Sequence, residues 1–460
     1  MVAGGVVDEL RATLSLALPL AGAQLAQVLM GFMAAVMLGR LGDEALAAGG
    51  LGNGLSFTVT LVFQGMLTAV GPLAAHSLGA GDEKRVGAII GHGLLFAAAL
   101  SVAGILIVSN VHFLLAVVGQ APSLVAATGR YLSAIVWGLP AALGYTVLRS
   151  YLSALSRTLP LMILLVFCLT LSVALNYSLI FGHFGFPALG IPGSGYASAA
   201  VQWIQFGALS IYVATRRGSR EHRILQAVLR PNRSIALPLL RLGWPIAGIF
   251  ALEAGVFSTA GVLAGRIGTA SLAAHQVAIG ITGIDFMVPL AFSNAATIRV
   301  ALASGAGQIV AARRAGAVAM ACSAGFMVVM ALVLLFAPDR IVALYLDRAD
   351  PANAEAVAIA MHLLFITALF QVFDGTQAVA AGALRGLRDT RAPLAVAMVG
   401  YWGVGFGSAW ILAFPLGLGV PGLWWGLALG LAVVAILLGL RFHSLTDGRY
   451  RLRHVPQAHY

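Results

Sequence analysis

The sequence predicts an all-α polytopic membrane protein of about twelve transmembrane helices, arranged as two six-helix repeats. Three observations carry this. Of the 460 residues, 60% are hydrophobic and only 9% are charged, whereas a soluble domain carries about 25% charged residues. The apolar residues fall into long runs, each close to the ~20 residues that span a hydrocarbon core. Finally, the second half repeats the first. Pro19 pairs with Pro245, GRLGDEALAA from Gly39 with GRIGTASLAA from Gly265, and Gly79-Ala80-Gly81 with Gly305-Ala306-Gly307, all 226 residues apart. Later, LSALSRTLP from Leu152 resembles LRGLRDTRAP from Leu384, with Thr158 and Thr390 232 apart.

In chain order, Met1 to Thr13 carries Asp8, Glu9 and Arg11, unlike a cleavable signal peptide. The run after it is read as the first helix. The first half then has spans near Leu14–Gly39, Leu46–Leu78, Ala88–Asn110, Val125–Tyr151, Leu159–Phe181 and Gly195–Thr215. The second has spans near Leu237–Gly265, Ser271–Leu302, Val310–Phe336, Ala354–Leu384, Ala392–Phe414 and Gly422–Phe442. This divides the chain into an N-terminal lobe (1–215), a basic linker (216–236), a C-terminal lobe (237–443) and a tail (444–460). Fifty-five glycines suit helices that must approach closely in lipid. Pro19, Pro140, Pro245 and Pro289 are candidate bends, tolerated where neighbours satisfy the freed backbone groups.

The net charge of +11 would suggest nucleic acid in a soluble protein. Here the arginines concentrate in loops after even-numbered helices, with Arg216, Arg217, Arg220, Arg223, Arg230 and Arg233 in the linker. The positive-inside rule then places both termini in the cytoplasm of a multi-pass membrane protein and removes any need for nucleic acid. Cys168 and Cys322 lie in apolar runs and build no disulfide framework. No phosphate-binding P-loop occurs, nor an acidic metal–diphosphate motif or catalytic histidine–aspartate pair, so neither ATP hydrolysis nor a membrane-embedded transferase is favoured. Six helices repeated as six give two halves of the same topology, related by a pseudo-two-fold along the membrane normal. Transporters built this way place their substrate site between the halves.

Within the spans the acids are Glu253, Asp285 and Asp374, all in the second half. At the repeat offsets Glu253 corresponds to Gln27 and Asp374 to Ala142. A carboxylate inside a membrane is costly, and such residues usually mark ion or proton pathways. Glu253 and Asp374 are therefore the leading candidates for holding Na⁺ or H⁺; Asp285 is equally compatible with a structural role. Asn176 in helix five can offer an amide oxygen. Arg149 and Arg299 are read as snorkelling towards the cytoplasmic interface. The histidines, His275 included, are read as packing groups more readily than as proton relays.

Four dispersed runs carry a family resemblance: the Glu253 region followed by LAAHQVA from Leu272, FQVFDGTQAVAAGALRG from Phe370, LNYSLIFG from Leu175, and GFMAAVMLG from Gly31. In these the chain resembles the multidrug and toxic compound extrusion transporters, in their bacterial NorM-like branch. The resemblance implies a two-lobed exporter of amphipathic, cationic drugs, driven by inward flow of Na⁺ or H⁺. It is expected to work as a monomer in the bilayer with no cofactor beyond that ion. It maps the cation site, including any Na⁺ ligands, onto Glu253 and Asp374, with Asn176 as the other lobe's asparagine. The polar residues Gln27, His275, Gln276, Gln371 and Gln377 are supporting or cavity candidates. Two departures stand out. The first-helix aspartate of the family is Ala34 here, and a tyrosine one turn before the helix-ten aspartate is Phe370. A flippase for lipid-linked sugars is the rival in the same class and would need a strongly basic central cavity.

Overall fold

The structure is a computed structural model that describes residues 4–117, 119–215, 224, 228 and 232–447. Most of the basic linker and most of the tail lie outside the described residues. Among the described residues, twelve helices are long and apolar enough to cross a membrane. They are α1 (Val6–Gly39), α2 (Asp43–Gly79), α3 (Glu83–Val117), α4 (Pro122–Ala154), α5 (Leu159–Phe181) and α6 (Ile191–Thr215). The second six are α7 (Arg233–Ile267), α8 (Thr269–Gly305), α9 (Ile309–Phe336), α10 (Pro351–Gly386), α11 (Arg391–Ala413) and α12 (Gly419–Thr446). No strand occurs among the described residues.

The repeat is visible in the backbone of the turns. Gly81 and Gly307, 226 apart, both take positive φ, 76° and 73°. They close α2 and α8 with matching bonds, Gly81 N–H to Leu78 O at 3.1 Å and Gly307 N–H to Ser304 O at 3.0 Å. At the 232 offset, Ser156 and Arg388 also share positive φ, 57° and 63°. Arg157 N–H reaches back to Leu152 O at 2.9 Å, and Asp389 N–H to Leu384 O at 3.0 Å. These are left-handed caps that satisfy the last carbonyls of a helix. A side chain other than glycine in that region costs roughly 1–2 kcal/mol. Both halves nevertheless adopt it at the same place.

Proline explains where the helices break. It has no N–H for the carbonyl four residues back. Pro72 releases Thr68, where α2 divides into Asp43–Leu67 and Val70–Gly79. Pro140 releases Val136, where α4 passes through a 3₁₀ turn, Val136–Gly138. Pro289 releases Asp285, the last residue of the first part of α8, Thr269–Asp285. Pro19 and Pro245, by contrast, sit inside uninterrupted helices.

The chain forms two compact units, Gly22–Ala247 and Met1–Ala21 with Gly248–Tyr460. Their borders fall inside α1 and α7 rather than in the linker, and each crossing lies two or three residues beyond one of the matched prolines, Pro19 and Pro245. In Gly22–Ala247, α4 is the most enclosed span, with 83% of its apolar window buried. In the other unit α10 packs against α8, α9 and α12. Gly422, Gly426 and Gly430 form a stripe along α12 that lets it meet α11 backbone to backbone; a Cβ at Gly426 would collide with Ala409.

An ion pair explains why the first 21 residues belong with the second half. Arg299 Nε and Nη2 donate to Glu9 Oε1 and Oε2, each at 2.7 Å, with both side chains buried. Arg314 Nη1 adds a bond to Gly4 O at 2.8 Å. This corrects the reading of Arg299 as a snorkelling residue. Its planar fork grips a carboxylate in two-point fashion instead of reaching for water. The partner was hidden because Glu9 lies outside the span expected from Leu14, whereas α1 begins at Val6.

Candidate functional site

The chemistry of the second unit gathers on one face of α10. Gln371, Asp374, Gln377 and Arg385 fall on one side of the helix at 100° per residue, and all four are buried. Asp374 lies one turn before Gln377, which places the amide Nε2 of Gln377 3.3 Å from Asp374 Oδ1. The same Nε2 lies 3.4 Å from Glu253 Oε1 on α7. Both contacts are at the long end of the hydrogen-bond range, so the amide is shared between two carboxylates and committed to neither. Tyr401 on α11 fixes its orientation: the phenol O–H donates to Gln377 Oε1 at 2.9 Å, turning the NH₂ end towards the acids.

The backbone of α11 is shaped for this. Residues Met398–Phe406 form a π-helical stretch that contains Gly400, Gly403 and Gly405. Widened turns of this kind re-aim side chains and recur at functional sites. Here the stretch presents Tyr401 to Gln377 and Trp402 to α7. Trp402 Nε1 donates to Leu252 O at 3.1 Å, next to Glu253. Gly255 makes room for the indole, since a Cβ there would stand 3.1 Å from Trp402 Cζ2. The residue before Glu253 is thus pinned from α11.

Asp285 is buried at the break in α8 and has an amide of its own. Gln371 turns its NH₂ to Asp285 Oδ2 at 3.2 Å, since the opposite orientation would set its carbonyl oxygen against the carboxylate. Asp285 therefore meets Asp374 only through one turn of α10. Among the described residues, no three or more His, Cys, Asp or Glu side chains cluster as a metal site. A cation between Glu253 and Asp374 would complete its shell with amide, backbone or water oxygens, the hard ligands that such ions take.

The remaining candidates separate. His275 accepts from Trp424 Nε1 at its Nδ1, 3.2 Å away, as a packing histidine would. Phe370 is fully buried, edge-on to Trp424 at 5.3 Å and to Phe257 at 6.0 Å. Where the family's tyrosine would bring a hydroxyl, this chain has an aromatic wall. Gln27 and Gln276 are exposed. Asn176 belongs to the other unit, where both ends of its amide are hydrogen-bonded. Nδ2 donates to Ser172 O at 2.8 Å, and Oδ1 accepts from Ser194 Oγ at 3.0 Å.

Sequence reasoning missed Tyr401, Trp402 and Arg385. The first two sit in an apolar run rich in glycine, and only that run of small residues hinted at an unusual helix. Arg385 lies one residue beyond the span expected to end at Leu384, next to Gly386, where α10 ends.

Comparison with known proteins agrees with this architecture. The MatE family profile matches residues 19–178 and 245–411, one segment in each half. The probable multidrug resistance protein NorM of Burkholderia pseudomallei is 43% identical over 432 residues, covering 94% of this chain and 92% of that protein. Its namesake in Pseudomonas aeruginosa is 43% identical over 438 residues, covering 95% and 90%. Among solved structures, the eukaryotic MATE transporter AtDTX14 superposes with a TM-score of 0.86 at 21% identity, covering 97% of this chain and 98% of that one. An outward-facing multidrug resistance MATE family transporter of the MOP superfamily gives 0.87 at 19% identity, with 98% and 100% covered. At these identities the structural likenesses speak to the fold.

Proposed function

The chain belongs to the MatE family, a family of membrane transporters, and on that premise we propose that it is a multidrug exporter. It moves amphipathic, mostly cationic compounds out of the cell in exchange for Na⁺ or H⁺, by alternating access. The single observation that carries the coupling is the Gln377 amide shared between Glu253 and Asp374. Two carboxylates placed around one neutral amide in a span are not balanced by a fixed charge in contact with them. They are suited to take up a cation from outside.

In the outward-facing state the pair loads Na⁺ or H⁺ and drug is released. In the inward-facing state the ion leaves and drug rebinds. An ion shifts such an equilibrium only by its differential affinity for the two states, so the exchange rests on carboxylates whose surroundings change between them. Tyr401 and Trp402 would transmit that change, because α11 holds both the bridging amide and the backbone beside Glu253. Asp285, with Gln371, is a secondary polar site on the same helix face. The protein sits in the bacterial inner membrane with both termini in the cytoplasm, acts as a monomer, and uses no cofactor beyond the coupling ion.

The reading is tested in proteoliposomes or everted vesicles under separately imposed Na⁺ and proton gradients. Glu253→Gln and Asp374→Asn are each expected to lose gradient-driven export of a fluorescent cationic dye. Full gradient-driven export by both variants would overturn the assignment.

A further inference from the structure

Among the described residues, Arg385 is a buried cation without a carboxylate in contact. Three ion pairs form among the described residues, Glu9–Arg299, Asp339–Arg348 and Asp389–Arg441, and Arg385 is in none. Its Nη2 donates to Ser293 Oγ at 2.7 Å, and the Ser293 O–H donates in turn to Ala378 O at 2.6 Å. The guanidinium lies 6.0 Å from the centre of the Phe250 ring. Its Nε is buried with no hydrogen-bond partner. Arg385 stands at the end of α10, where a basic residue could interact with the helix dipole or snorkel to water. However, it is only 8% exposed, and a snorkelling arginine would not leave Nε dry.

Isolated charge of this kind is costly in a membrane span. It calls for an opposite charge nearby. The guanidinium faces Phe250 on α7, and Glu253 lies one helical turn further along that helix. Asp374 stands three turns up the same face of α10. With both carboxylates ionised, the set carries two negative charges and one positive. One monovalent cation brings it to neutrality; without Arg385 a second would be required.

We propose that Arg385 is a tethered counter-cation for the Glu253–Asp374 pair: it competes with the coupling cation for the same carboxylates and sets how tightly they hold it. This rests on the reading of that pair as the coupling site. Arg385 stabilises the ion-free pair, in which both carboxylates are charged, and so favours release of the ion on the side where drug rebinds. It is a positioning residue that acts through charge; it does not touch the ion. Its bond to Ser293 holds the guanidinium in place at a distance, near enough to be felt and too far to form a closed salt bridge that would exclude the ion.

The experiment is cation binding to the purified full-length chain. Na⁺ is titrated at fixed pH and followed by calorimetry, and protons are titrated in Na⁺-free buffer. In each case the Glu253-dependent part is isolated by subtracting Glu253→Gln. Arg385→Gln is expected to lower the half-saturating cation concentration by about tenfold, as removal of one like charge in a low-dielectric site requires. Arg385→Lys is expected to stay close to wild type, because the charge is kept. Arg385→Met provides the same charge removal if the glutamine variant fails to fold. Unchanged half-saturation in the charge-removing variants would overturn the proposal. Equal shifts in the lysine and glutamine variants would also overturn it, since packing and not charge would then be responsible. A wild-type chain with no Glu253-dependent cation response would instead sink the assignment of the coupling site, and this inference with it.

Discussion

The two halves of this protein share a backbone and differ in chemistry. Gly81 and Gly307 turn the chain through the same left-handed cap, and so do Ser156 and Arg388. Yet at the positions of Glu253, Asp374 and Gln377, the first half has Gln27, Ala142 and Tyr145. Tyr145 is buried with its hydroxyl lacking a hydrogen-bond partner, whereas Gln377 connects three side chains. Arg385 is matched by Ser153. A repeated scaffold therefore does not imply a repeated site. Four or five polar differences on one copy of the fourth helix and its neighbours set the candidate site apart, while the turns that define the topology stay alike.

The largest test of this asymmetry moves the acid across. Gln27→Glu in a Glu253→Gln background is expected to leave gradient-driven dye export at the level of protein-free vesicles. Gln27 is exposed and has no counterpart of Gln377 beside it, since Tyr145 stands at that position. Recovery of export would show the halves to be interchangeable and break the comparison. Next in size is the ion pair that ties α1 to α8. Glu9→Ala strands a buried arginine and should cost about 3–5 kcal/mol, seen as a lower thermal midpoint in detergent. Glu9→Ala with Arg299→Met should recover most of it, because an apolar pair replaces a buried salt bridge at little net cost.

A smaller effect is expected at Tyr401. Tyr401→Phe removes the hydroxyl that orients Gln377 without changing ring packing. The net value of such a bond is about 0.5–1.5 kcal/mol, which corresponds to a few-fold weaker cation half-saturation in the same calorimetric titration. Tyr145→Phe in the first half, at the position that matches Gln377, should leave binding unchanged. The smallest effect tests the likeness and not the difference. Ser156→Gly and Arg388→Gly should each be neutral or raise stability by up to ~1 kcal/mol, as glycine relieves the left-handed backbone. A loss at one position and not the other would show that the two caps are only superficially alike.

Much of the fold was legible in the chain. Twelve spans and their order follow from hydropathy because every backbone group in lipid must be satisfied within its own helix. The two offsets, 226 and 232, correspond to turns with matching positive φ and backbone hydrogen bonds. The breaks could have been placed as well: Pro72, Pro140 and Pro289 each interrupt a helix four residues upstream, for the one reason that they lack an N–H. What local rules did not show is why Pro19 and Pro245 lie in unbroken helices and yet mark where the chain passes from one compact unit to the other. That depends on which neighbours each end of the helix meets, and Glu9 meeting Arg299 across 290 residues is not a local matter.

The site divides in the same way. Glu253 and Asp374 stood out from sequence by themselves, because a carboxylate in a long apolar run is expensive and there are few of them. Their pairing through Gln377, the role of Tyr401 and the isolation of Arg385 arise only when α7, α10 and α11 come together. A hydrogen bond or a missing counter-charge is a relation between residues distant in sequence. Composition and periodicity describe each helix alone. They determined that this chain is a twice-repeated set of membrane helices with acids in one copy, and the tertiary structure decided which amide those acids share.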